Sequence, residues 1–279
     1  MTAEHLQMPE GIPLSPTEEL ALCQEILAEM QSGQFQPIGR APEQNRSHWE
    51  EVWKHSSPIK VPPYVSPLNI VRVNQHFLRT RKCNQELHWY KRFRKDLLTT
   101  YFKSSPAIYE FGCGNGWNLL AAHELYPAKK LVGLDWAQSA VDRLNNSFGP
   151  YWTGERIRGQ VFDFFHPDYD LKLAPGSGVL TVGALEQTGQ NWGAFLEYLL
   201  ANHPAICVHV EPIVEWYDSK NLVDLTAIDY HLIRNYWQGF PARMAALEAA
   251  GKVEILEQKR SYFGSKYLEG YSCFVWRPI

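Results

Sequence analysis

The chain has 279 residues, 45% hydrophobic and 20% charged, enough for one large globular domain with an appendage or for two small domains. A formal net charge of −3 and a pI near 6.4 exclude the strongly basic footprint of a nucleic-acid binder. Five scattered cysteines with no Cys-x-x-Cys pair point to neither a disulfide framework nor a zinc site, and no apolar run approaches the ~20 residues of a membrane span, so a soluble cytoplasmic protein with no metal is expected.

Residues 1–16, with Pro9, Pro13 and Pro16, read as a loose leader. From Thr17 to Met30 the residues Leu20, Leu22, Ile26, Leu27 and Met30 recur at helical spacing behind Ser15 or Thr17 as N-cap, which predicts an amphipathic helix. Residues 31–45 read as a linker, and 46–55 as a short helix with Trp49 and Trp53 four apart on one face. Pro58, Pro62, Pro63 and Pro67 exclude regular structure until about Leu68. Residues 74–102 are expected to form one or two helices. Their seven basic residues fit a solvated helical face better than a nucleic-acid surface, being spread around the helix of an acidic chain. Residues 1–103 thus read as a helical extension or cap, and 104–279 as a second unit.

That unit opens on Pro106-Ala-Ile-Tyr-Glu-Phe-Gly-Cys-Gly-Asn-Gly-Trp-Asn, a buried strand, a glycine turn and a helix start. Gly112, Gly114 and Gly116 let the backbone turn tightly and approach a ligand. The spacing departs from a dinucleotide fingerprint, because bulky Trp117 stands where a third glycine would be. The carboxylate of Glu110, directly before the turn, would repel a pyrophosphate and attract an ammonium. A second apolar strand, 130–135, ends in Asp135, 19 residues beyond Gly116, where a carboxylate can accept ribose hydroxyls.

The segment resembles motif I of the class I S-adenosylmethionine-dependent methyltransferases. The resemblance implies that Glu110, Gly112, Cys113, Gly114, Asn115, Gly116 and Asp135 hold the cofactor, with S-adenosyl-L-homocysteine as product. It implies further that Trp136 flanks the adenine, that Asp163-Phe164 at the end of a third strand does likewise or that Asp163 merely caps a turn, and that a basic residue ahead of motif I reaches the cofactor carboxylate. Strand 178–183 runs into Ala184-Leu-Glu-Gln-Thr188, where the family keeps its motif IV beside the transferred methyl, Leu185 on the cofactor and Gln187 toward substrate. Helices at 137–147, 190–202 and roughly 221–250, with strands at 205–210, 252–257 and 271–276, continue the alternation, and the resemblance implies an α/β, doubly wound, mostly parallel seven-stranded sheet of order 3-2-1-4-5-7-6.

Methyl transfer requires alignment of the nucleophile, and a base where the acceptor is a hydroxyl. Glu186, Glu211 and His231 are the candidate bases, with Glu186 preferred. His209 shares a strand face with Glu211 and reads equally as a buried histidine bonded to backbone. Tyr230, Arg234 and Trp237 belong to a polar and aromatic helix that reads as a substrate lid or as packing against the extension. The acids Glu211, Glu215, Asp218 and Asp224 suit a cationic or polyhydroxylated small molecule. The expectation is O-methylation of a small hydroxylated metabolite; N- or S-methylation is the alternative within the class, and non-catalytic binding of S-adenosylmethionine or a nucleotide the alternative outside it. No nucleic-acid or membrane partner is expected. Oligomeric state stays open, a homodimer included.

Overall fold

A computed structural model describes residues 9–35, 37, 42–55, 65–66, 68–147 and 156–279. The chain begins with strand β1 (Gly11–Pro13) and helix α1 (Pro16–Gln31), whose N-terminus is closed by a reciprocal capping box between Ser15 and Glu18. Helix α2 (Pro42–His55) follows. The proline cluster at 58, 62, 63 and 67 lies outside the described residues. Next comes a hairpin of β2 (Ile70–Val73) and β3 (His76–Thr80), then α3 (Gln85–Tyr101).

The hairpin corrects the expectation of helix from residue 74. Asn74 and Gln75 both have positive φ, 50° and 66°, the conformation a two-residue hairpin turn demands. Ile70-Val-Arg-Val73 is β-branched at three of its four positions and fits a pleated strand. The extension is therefore a mixture of helices and a small antiparallel sheet.

The main sheet is built from β4 (Ala107–Phe111), β5 (Lys130–Asp135), β6 (Ile157–Val161), β7 (Gly178–Val182), β8 (Ile206–Glu211), β9 (Val253–Lys259) and, after the short β10 (Phe263–Gly264), β11 (Ser272–Pro278). Its order is β6-β5-β4-β7-β8-β11-β9, with β11 antiparallel to both neighbours. Counted within the sheet, this is the expected 3-2-1-4-5-7-6. Helices α4 (Trp117–Leu125), α5 (Gln138–Ser147), α6 (Gly193–Asn202), α7 (Leu222–Arg234) and α8 (Phe240–Ala249) connect the strands.

Both faces of the sheet are covered, so its central strands are apolar throughout. In β4, Ile108 joins a core shared with α3 and α4, while Tyr109 and Phe111 join one shared with α6 and α8. The alternation puts Glu110 on the face of Ile108, toward α4.

The two parts of the chain are tied together. Strand β10 pairs with β2, adding the carboxyl-terminal segment to the small sheet. Fully buried Arg72 of β2 donates to the carbonyls of Val223 and Lys266 and to Thr226 Oγ1, and α1 packs its Leu22, Cys23 and Ile26 with Val223 and Tyr230 of α7. No helix among the described residues is long and apolar enough to cross a membrane.

Candidate active site

Between β4 and α4 the backbone doubles over a turn in which Gly112, Gly114 and Gly116 have φ of 71°, 50° and 74°. A Cβ on Gly112 would lie 2.2 Å from Ala184 Cβ, and one on Gly114 would lie 2.5 Å from the ring of Trp53. Only glycine fits at either position. The turn is anchored by the Gly114 N–H, which donates to Asp135 Oδ2 (2.8 Å).

Glu110 is 2% exposed. Its Oε1 accepts from Asn118 Nδ2 (2.7 Å), and its Oε2 has no hydrogen-bond partner. Burial pushes the carboxyl up to about 8. Tyr90 donates to Asn118 Oδ1 (2.6 Å), and the Arg94 guanidinium stacks 4.0 Å from the Trp117 ring. Asp135 accepts the Ala137 N–H at Oδ1 (2.9 Å) besides that of Gly114. Burial raises it to about 6. The Trp136 N–H also favours its charged form, so of a carboxylate's about four acceptor positions about one remains.

Both acids line one cavity, about 820 Å³ to its open mouth, with Trp136, Phe164 and Phe165 on the aromatic side and Gln187 opposite. Its roof comes from the extension, through Trp49 and Trp53 of α2, stacked at 5.6 Å. Glu50 seats this helix by accepting the N–H groups of Gln138 (2.6 Å) and Ser139 (3.0 Å) at the start of α5. Arg143 donates to the carbonyls of Trp53 and Lys54.

A second cavity, about 1330 Å³ with its open mouth, shares Trp49, Val182, Gly183 and Gln187 with the first. Glu86, Glu186, Tyr230, Arg234, Tyr236 and Tyr271 are in its wall. Glu186 Oε1 accepts from Gln187 Nε2 (2.8 Å), which leaves Gln187 Oε1 buried without a partner. Burial, then repulsion from Glu211, pushes the Glu186 carboxyl above the usual carboxylate range.

Several residues expected at the site are not in either wall. Glu211 is fully buried and accepts the backbone N–H groups of Ala184, Leu185 and Glu186 at 3.1–3.3 Å, so it shapes the loop after β7 instead of meeting substrate. His209 accepts from Trp276 Nε1 (2.9 Å) and donates to Thr181 Oγ1 (3.0 Å), and burial drives it down to about 3, which keeps it neutral. It is the buried histidine. His231 donates from Nε2 to the Trp237 carbonyl (2.7 Å) and is likewise held down, at about 4. Trp237 packs on Phe240 in the core, and Leu185 is buried there as well. Asp163 takes the turn-capping role, accepting the Phe165 N–H (2.8 Å). Gly116 caps α4.

The acids before α7 and in its first turn have internal partners. Asp224 pairs with Arg260 (2.6 Å), Glu215 accepts the Gly239 N–H, and Asp218 accepts that of Lys220. Glu110, Gly112, Cys113, Gly114, Asn115, Asp135, Trp136 and Phe164 lie in the first cavity, Glu186, Tyr230 and Arg234 in the second, and Gln187 in both. Glu86, Asn118 and the roofing tryptophans are not among the expected site residues; the Trp49 and Trp53 spacing is the one local signal for them.

A seven-stranded sheet in this order, with its central glycine turn flanked by acids on two adjacent strand ends, is the fold of the class I S-adenosylmethionine-dependent methyltransferases. No protein-family model and no curated protein matches the sequence. Among solved structures the fold is similar to human N-acetylserotonin methyltransferase in complex with S-adenosylmethionine, with a TM-score of 0.52 at 15% identity over 95% of this chain and 71% of that one. A structure described under the conversion of a disulfide bond into a thioacetal group during echinomycin biosynthesis gives 0.50 at 16% identity, over 84% of this chain and 92% of that one. The mitomycin 7-O-methyltransferase MmcR gives 0.50 at 11% identity over 70% of this chain, which spans only 56% of that enzyme's length.

Proposed function

We propose that the protein is an S-adenosylmethionine-dependent methyltransferase acting on a small molecule, with hydroxyl methylation as its reaction. The observation that carries this reading is Glu110 Oε2, a buried carboxylate oxygen without a partner beside a glycine turn. Such an atom is costly unless a ligand supplies a donor, and the amino acid end of S-adenosylmethionine brings an ammonium.

Glu110 would bind that ammonium, Asp135 a ribose hydroxyl, and Trp136 with Phe164 and Phe165 the adenine face. When bound, the cofactor supplies a methyl group already activated on a sulfonium. The roof of Trp49 and Trp53 excludes water from the reacting centre, and Gln187 orients the acceptor at the junction of the two cavities. Glu186, made more basic by burial and by the neighbouring Glu211, removes the hydroxyl proton at its carboxylate.

Isothermal titration with S-adenosylmethionine and S-adenosylhomocysteine tests the cofactor half; binding of neither removes the reading. A metabolite screen by mass spectrometry for the gain of one methyl tests the chemistry. On the acceptor so found, Glu186→Gln is expected to lower kcat by about 10²-fold or more while S-adenosylhomocysteine still binds. Unchanged turnover would exclude Glu186 as base and favour an amine or thioether acceptor.

A further inference from the structure

The charges on the wall of the second cavity do not balance. Lys266 is held by Glu25 (2.6 Å) and Glu29 (2.9 Å), both on α1. Arg234 lies over the Tyr236 ring at 5.5 Å, and its charge is answered by Glu186. His48, at the mouth, is exposed. Glu86 remains. It is 1% exposed, and its carboxylate accepts from the Tyr271 hydroxyl (2.6 Å) and the Ser66 N–H (2.8 Å). It stands in the first turn of α3, where a helix end favours an acid, and among the described residues no lysine or arginine forms an ion pair with it.

Two donors leave about two acceptor positions on that carboxylate. The cavity that it lines is aromatic, with Tyr230, Tyr236, Tyr267, Tyr271 and Trp49 in its wall, and Tyr271 meets the carboxylate. Ring faces attract cations, more strongly once the cation has left water. An acid buried without a counter-charge costs least when a ligand brings one. A neutral or anionic ligand would leave the carboxylate as it is or repel it.

We propose that the second cavity takes a small organic amine, its ammonium seated on the carboxylate of Glu86 among tyrosine rings, while the methyl-accepting atom of the same molecule lies at Gln187 and Glu186. The second half rests on the methyltransferase reading; the first rests on the cavity alone. The substrate therefore has two functional ends, a basic nitrogen for recognition and a hydroxyl for reaction.

Three phenols that differ only in the charge at the far end test this: tyramine, 4-ethylphenol and 3-(4-hydroxyphenyl)propanoate. Each is titrated calorimetrically into the full chain, with and without saturating S-adenosylhomocysteine. Tyramine is expected to bind tightest and the propanoate weakest. Glu86→Gln is expected to weaken tyramine by at least about tenfold and to leave 4-ethylphenol unchanged, as for loss of a hydrogen-bonded charge contact. Tyramine binding no tighter than 4-ethylphenol, or unaffected by Glu86→Gln, overturns the proposal. The ranking on the parent protein decides the matter even where the variant does not fold. Titration of S-adenosylhomocysteine alone separates the two readings: its failure to bind removes the methyltransferase, whereas normal binding without an amine preference removes only the amine.

Discussion

Glu110→Gln should change stability and ligand binding in opposite directions. In the free protein burial holds this carboxyl at about 8, against an ordinary value of 4.5. The folded state therefore keeps a proton that the unfolded chain releases above about pH 4.5, and each rise in pH from there to about 8 favours unfolding. At pH 8 the accumulated cost is of order 2–4 kcal/mol. Glutamine has nearly the same shape and no charge, and it can still accept from Asn118. Without ligand, Glu110→Gln should raise the melting midpoint at pH 8 by roughly 5–10 °C, given about 2–4 °C per kcal/mol for a chain of this size. The advantage should shrink toward zero at pH 5, where the parent carboxyl is protonated in the folded state. The same change removes a charge-assisted contact to the cofactor's ammonium, worth about 1.5–3 kcal/mol, so S-adenosylhomocysteine should bind about 10- to 150-fold more weakly. Differential scanning fluorimetry at pH 5 and pH 8, with calorimetric titration, reads both effects. A midpoint at pH 8 that falls, or an affinity within about twofold of the parent, refutes the assignment of Glu110 as a buried acid that ionises against a ligand's amine.

Because Glu110 is protonated in the free protein below about pH 8 and ionised against an ammonium, binding of S-adenosylhomocysteine at pH 7 should release a proton and tighten as pH rises to 8; titration enthalpies that differ between phosphate and Tris buffers check this. Gly114→Ala puts a Cβ 2.5 Å from the Trp53 ring at a φ of 50°, so it should cost about 1–3 kcal/mol of stability, as overpacking does, and weaken S-adenosylhomocysteine by displacing the roof, measured by thermal melting and titration. His231→Ala should lower the melting midpoint by removing the bond to the Trp237 carbonyl, a loss of about 1–2 kcal/mol, and leave the shape of the pH–rate profile unchanged, since its imidazole is in neither cavity.

What the sequence disclosed follows from how each part is encoded. The cofactor side is local: Glu110, the glycine turn and Asp135 stand at the ends of two apolar strands, and a strand end in a doubly wound sheet fixes where its last side chain goes. The sheet order came through the resemblance those residues carry, although no helix joins β6 to β7. The hairpin at 70–80 was not legible, because Asn74-Gln75 lacks the glycine that marks such turns and the aromatic run after it carries helical spacing into the segment.

The substrate side has no local code. Its wall draws Trp49 from α2, Glu86 from α3, Glu186 from the loop after β7, Arg234 from α7 and Tyr271 from the segment before β11, and no spacing relates such residues until the chain has folded. Reading catalytic promise from polarity near a strand end then goes wrong in a specific way. Glu211 and His209 stand at the end of β8 as a catalytic pair would, yet Glu211 spends its carboxylate on three backbone N–H groups of the loop that presents Glu186, and His209 is neutral between Trp276 and Thr181. A buried acid that holds a loop and one that meets a ligand look alike in a sequence. They differ in whether the protein itself fills their acceptor positions, and by that measure Glu211 is occupied, whereas Glu110 and Glu86 keep acceptor capacity, which is the ground on which a ligand is proposed for each.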